Sequence, residues 1–154
     1  MTASSPTETL DWNDVRVGDE IPAFPIDVTA TVIVAGAIAT RDFMPVHHDR
    51  GYANAQGAPD IFMNILSDTA YCSRFVTDWA GPEAMVKKLA IRLGVPVFPG
   101  SILTYTGTVT STSPSPPPGD GEGLVEVELR ATNDLGDHVT GTAVLSLPRR
   151  AVDA

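Results

Sequence analysis

Arg41-Asp42-Phe43-Met44-Pro45-Val46-His47-His48-Asp49 sets an acid, a proline-stiffened turn and two histidines within nine residues. Pro45 fixes its own φ near −65° and pushes Met44 toward an extended conformation. A short non-helical turn of that kind can bring Asp42 and His47, five residues apart, to one side of the backbone. A carboxylate and an imidazole that share one water form an acid–base pair suited to chemistry near neutral pH. His48 reads as facing solvent or as supporting its neighbour, and Asp49 as the cap of a following short helix. The cluster lacks a second ligand group or a Cys pair, so no metal is expected.

The whole chain must supply a frame for that turn. Its 154 residues suit one domain, and 43% apolar with 19% charged residues is ordinary for a folded soluble protein. A net charge of −9 argues against a nucleic-acid partner. Cys72 is the single cysteine, excludes an internal disulfide and reads as inert packing in a reducing compartment. The polar start, without a basic region and apolar run, and the absence of a ~20-residue apolar stretch give a cytoplasmic expectation.

Residues 1–10 read as a frayed tail, 11–148 as the folded domain and 149–154 as a second tail. Residues 12–24, with Pro22 and a following Pro25, read as an extended lead-in. In 26–39, Val32-Ile33-Val34 favours a strand and residues 35–39 a short helix running into the acid–histidine stretch. Residues 49–56 form another short helical piece ended by Gly57. Apolar residues recur at gaps of three and four from Ile61 to Trp79, which predicts one long helix capped by Asp60 or Asn64 and stopped at Gly81-Pro82. Four strands follow, at 85–93, 97–111, 123–133 and 139–147, with a proline- and glycine-rich solvent loop over 113–123 and a hairpin turn at 133–137. His138 sits beside that turn and reads as exposed. Lys87, Lys88 and Arg92 flank a strand and read as solvated. One long helix followed by antiparallel strands is an α+β arrangement, a sheet curled around a helix. Such a sheet leaves an edge and a helix face to cover, so self-association or a partner is expected.

These residues resemble the MaoC-like (R)-specific enoyl-CoA hydratases. Their motif is roughly Gly-Asp-x-Asn-Pro-hydrophobic-His-x-Asp, which Asp42, Pro45, Val46, His47 and Asp49 match. Val97-Phe98-Pro99-Gly100, leading into a strand, is a second match. Arg41 stands for the usual Gly, Met44 for the usual Asn, and Met63-Asn64 where a His-Gly pair is common. The resemblance implies a single hotdog fold, an antiparallel sheet wrapped around one long central helix. It implies Asp42 and His47 as the catalytic pair, adding water across the α,β double bond of an acyl-CoA thioester. The backbone N–H of Asn64 would stabilise the enolate oxygen, helped by the helix dipole. No cofactor is implied beyond the CoA of the substrate.

A nearer similarity is to the small hydratase subunits of actinobacterial steroid side-chain degradation. It rests on Asp60-Ile61-Phe62-Met63-Asn64-Ile65-Leu66 and on Arg74-Phe75-Val76-Thr77-Asp78-Trp79. It implies a heteromer, a heterotetramer with a larger subunit carrying a second MaoC-like domain, acting on a bulky steroid-bearing enoyl-CoA. A hotdog subunit that only scaffolds a partner or binds acyl-CoA is the alternative from another class. A hotdog thioesterase fits the motif less well.

Overall fold

Five antiparallel strands in the order β1-β3-β4-β5-β2 make the sheet of this protein, in a computed structural model that describes residues 7–114 and 121–150. The strands are β1 (Glu20–Asp27), β2 (Met85–Leu93), β3 (Ile102–Pro114), β4 (Glu122–Asn133) and β5 (Gly136–Pro148). The helices are α1 (Ala30–Ala39), α2 (Arg50–Ala55) and the long α3 (Ile65–Ala80). This is the α+β arrangement expected, a sheet around one long helix.

The alternation in β4 places Val125, Val127, Leu129 and Ala131 inward, and all four are fully covered. They share the core with Cys72, Phe75 and Val76 from α3 and with Leu103 and Tyr105 from β3. Each of the valine, leucine and phenylalanine side chains among them stabilises the fold by about 1.5–3 kcal/mol on burial. At Gly107 the sheet comes so close to the helix that an added Cβ would lie 3.0 Å from the Phe75 ring.

Four expectations need correction. Residues 32–34 are not a strand: they lie in α1, because the Thr29 hydroxyl accepts from Val32 N and starts a helix there. Burial of Ile33 and Ala37 then overrides the β-preference of the Val-Ile-Val run. The strand falls earlier, as β1, an edge strand that takes in Pro22 and Pro25 and has an irregular register between Ile21 and Phe24.

Second, the long helix begins at Ile65 rather than Ile61. Phe62 N and Met63 N bond to Val46 O and Val97 O, which holds residues 61–64 extended and leaves Asn64, not Asp60, as the cap. Third, residues 97–101 precede β3 as a turn with Gly100 at φ 96°, and Pro114 and Gly123 still pair in the β3–β4 ladder. The expected 113–123 loop is therefore narrower, and its residues 115–120 lie outside the described ones.

Fourth, the expected tails are partly docked. Leu10 N bonds to Ala80 O, Glu83 N to the buried Thr9 hydroxyl, and Arg149 N to Gly121 O. Of the residues assigned to those tails, 1–6 and 151–154 lie outside the described ones.

Candidate active site

The end of α1 aims the acid. Asp42 N bonds to Ala37 O and Arg41 N to Ile38 O, which is the two-bond Schellman ending of a helix. That ending needs a left-handed residue at its centre, and Arg41 occupies it with φ 58°. The motif turns the chain sharply, so Asp42 leaves the helix axis and faces the start of α3. Met44 N then donates to Asp42 Oδ1 at 3.3 Å, closing a small turn over the carboxylate.

The histidine is placed by the Pro45–His47 turn of 3-10 helix, in which Pro45 takes the first helical position. Asp49 N and His48 N both bond to Pro45 O. His47 is buried with its ring edge-on to Phe62, centroids 5.1 Å apart. His47 Nδ1 lies 2.7 Å from Phe62 O. A carbonyl oxygen only accepts, so Nδ1 carries the proton and Nε2 of the neutral ring presents a lone pair.

That lone pair faces Asp42 Oδ2 at 3.4 Å. The separation is too long for the 2.7–2.9 Å of a tight charged hydrogen bond. Two acceptors so disposed suit a water that donates one hydrogen to each. His48 is exposed, and Asp49 caps α2 through Tyr52 N at 3.0 Å.

Asn64 makes a contact that the sequence reading did not foresee. Its side-chain amide donates to Asp42 Oδ2 and to Thr40 Oγ1, both at 2.9 Å, while its Oδ1 accepts from Ser67 N. Thr40 in turn donates to Gly36 O. One amide thus ties the end of α1, the acid and the first turn of α3 together, with every side-chain polar atom used. The Asn64 hydrogen bond is the main cause that holds the Asp42 carboxyl below its ordinary value. Partial burial opposes it, and Met44 N and His47 add to the lowering. The backbone N–H of Asn64 makes no hydrogen bond among the described residues.

Asp42, His47, Asn64 and Ile65 line one side of a cavity of ≈ 320 Å³, and Gly94, Val95, Pro96 and His138 line the other. His138 is a fifth correction. It is not exposed: its side chain is 3% accessible and its Nε2 lies 2.9 Å from Oδ1 of the fully buried Asp68. Ala131 pairs with Val139 and Thr132 with Asp137, so His138 is an extra, bulged residue. A period-of-two reading counts it outward, and the bulge turns it in. The signal for Asp68 was available: an acid four residues after Asn64 falls on the apolar face of α3.

Among the described residues, no group of three or more His, Cys, Asp or Glu side chains could hold a metal, and no helix is long and apolar enough to cross a membrane.

A sheet wrapped on one helix, with an acid and an imidazole converging just ahead of it, places this chain in the MaoC-like hydratase family, to which it belongs. The 3-oxo-4,17-pregnadiene-20-carboxyl-CoA hydratase beta subunit of Mycobacterium tuberculosis is 47% identical over 131 residues, 85% of this chain and 95% of the relative. A chain in the crystal structure of the ChsH1–ChsH2 complex from the same organism superposes with a TM-score of 0.77 at 47% identity, covering 86% of this chain and 98% of that one. The (R)-hydratase from A. caviae involved in PHA biosynthesis shares the fold, with a TM-score of 0.76 at 22% identity over 88% of this chain and 98% of the other. No family model matches the chain.

Proposed function

We propose that this protein is the smaller subunit of a cytoplasmic heteromeric hydratase, adding water across the α,β double bond of a bulky, steroid side-chain enoyl-CoA. The observation that carries the reading is the pair of acceptors Asp42 Oδ2 and His47 Nε2, 3.4 Å apart on a cavity wall. A water donating to both has its oxygen lone pair free for Cβ. As the C–O bond forms, an O–H bond breaks and its proton passes to the pair. The π electrons move to the thioester as an enolate, and one member of the pair returns a proton to Cα. The backbone N–H of Asn64, at the positive end of α3, stabilises the enolate oxygen.

The substrate and partner rest on the relatives. The 47%-identical protein is named as a hydratase of a pregnadiene carboxyl-CoA and as a beta subunit, and its structural counterpart is a two-component complex. Ile65 and Leu93 line the cavity yet remain partly exposed, which suits an apolar acyl group or a partner surface above it.

The test is co-purification with a candidate larger MaoC-like subunit, followed by hydration assays with a steroid enoyl-CoA and with crotonyl-CoA. Steroid hydration that requires both subunits is the expected result. Rapid crotonyl-CoA turnover by this chain alone overturns the steroid and heteromer parts.

A further inference from the structure

Two side chains at the start of α3, its cap Asn64 and Asp68 one turn on, reach to opposite sides of the cavity. Asn64 holds Asp42, and Asp68 holds His138. The His138 ring continues to the wall facing the acid–base pair: its Nδ1 lies 2.6 Å from Val95 O and, since a carbonyl only accepts, donates to it. The same wall is drawn against β5 by Gly94 N to His138 O at 2.8 Å and Val95 N to Asp137 O at 3.0 Å. The approach is close enough that a Cβ on Gly94 would stand 2.3 Å from Asp137 O.

We propose that Asp68 and His138 are positioning residues, a buried couple that fixes residues 94–96 at a set distance from Asp42 and His47. This rests on the hydratase reading for the identity of the substrate, though not for the geometry. Three observations carry it. The couple is in the core, with Asp68 fully buried and His138 nearly so, where a well-packed apolar pair of similar volume is often as stable or more so. Asp68 Oδ2 makes no hydrogen bond among the described residues, so its polar contact is directed at His138. His138 is a bulge residue, and bulges recur beside active sites, where they re-aim a side chain. The start of α3 thereby acts as a caliper, with Asp42 hung from one arm and, through His138, residues 94–96 from the other.

The experiment uses the assembled hydratase carrying Asp68→Asn, His138→Gln, or Asp68→Leu with His138→Leu. Melting temperature, kcat, KM and the affinity for octanoyl-CoA, a saturated and unreactive probe, are measured for each. Asp68→Asn keeps a polar partner, its side-chain N–H donating to Nε2 of the neutral His138 ring, and is expected to retain kcat and probe affinity within about threefold. The double apolar variant is expected to fold and to lose kcat by about 10- to 100-fold, the effect of a misplacement on the order of 1 Å. Its octanoyl-CoA affinity is expected to fall by about tenfold. A folded double variant with wild-type kcat, KM and probe affinity overturns the couple.

If the double variant does not fold, His138→Gln decides. Its amide can still donate to Val95 O but does not reproduce the two-ended ring, so a drop in kcat at unchanged melting temperature supports positioning, and wild-type kinetics overturn it. Absence of hydration by the wild-type assembly defeats the proposed function. The couple is then judged on octanoyl-CoA affinity alone, where equal binding by wild type and the double variant, or His138→Gln if that one does not fold, overturns it.

Discussion

The side-chain amide of Asn64 donates to Asp42 Oδ2 at 2.9 Å, so the residue that starts the long helix also holds the acid facing His47. Loss of that donor has a defined sign. Asn64 lowers the Asp42 pKa, so Asn64→Ala raises it, and the acid limb of the kcat/KM profile moves to higher pH. Removing the cap also costs about 1 kcal/mol of stability. A pH–rate series on both proteins, with melting curves, checks the two effects separately.

Asp42→Asn and His47→Ala each lower turnover by about 10²–10⁴-fold, the usual worth of general acid–base catalysis. Single-turnover hydration assays of the assembled enzyme measure this. Wild-type rates in both purified variants would remove the pair from the chemistry.

Arg41 sits at φ 58°, a backbone region that costs an L-residue about 1–2 kcal/mol and glycine almost nothing. Arg41→Gly is therefore stabilising by about 1 kcal/mol, a rise of roughly 2–4 °C in Tm for a chain of this size. Differential scanning calorimetry reads it directly, and an unchanged or lower Tm contradicts it.

His138 titrates in a way that stability reports. Burial lowers its pKa, but the hydrogen bond and charge of Asp68, with the Val95 carbonyl, outweigh that and leave it raised above 6.5. The folded state thus holds a proton that the unfolded chain releases. The stability from this proton is complete below pH 6.5 and disappears as pH rises through the raised pKa. Cys72 and Tyr105, the other titratable groups within reach of Asp68, stay protonated across this window because burial first, and Asp68 second, push both upward. Melting temperatures from pH 6 to 9 fall for the wild type and flatten in Asp68→Asn.

Cys72 is fully covered, and burial followed by the charge of Asp68 pushes its thiol up to about 12. A water-soluble aryl disulfide at pH 8 is therefore expected to leave the folded protein unlabelled and to react once denaturant is added. Rapid labelling of the native form would refute the packing role.

How much of this was legible in the sequence depended on range. The Asp42–His47 geometry is local, set by the helix ending at Arg41 and the Pro45 turn, so type and spacing conveyed that the two could meet. The long helix and the β4 alternation were legible for the same reason, since their burial follows a fixed period. The Asn64 side chain was not, because its two acceptors, Thr40 and Asp42, lie 24 and 22 residues away. His138 was misplaced because one bulged residue breaks the period that assigns faces. Residues 32–34 went to the wrong element because the Thr29 cap outweighed a β-branched run.

The two borders of the sheet differ in kind. β1 carries Pro22 and Pro25, which lack the N–H a further strand would need, whereas β2 from Met85 to Leu93 has no proline. Growth by backbone pairing is thus permitted at one border and impeded at the other. Two such sheets meeting through β2 exhaust their capacity to add more, so the chain is guarded against open-ended polymerisation while it stays competent for a closed pair.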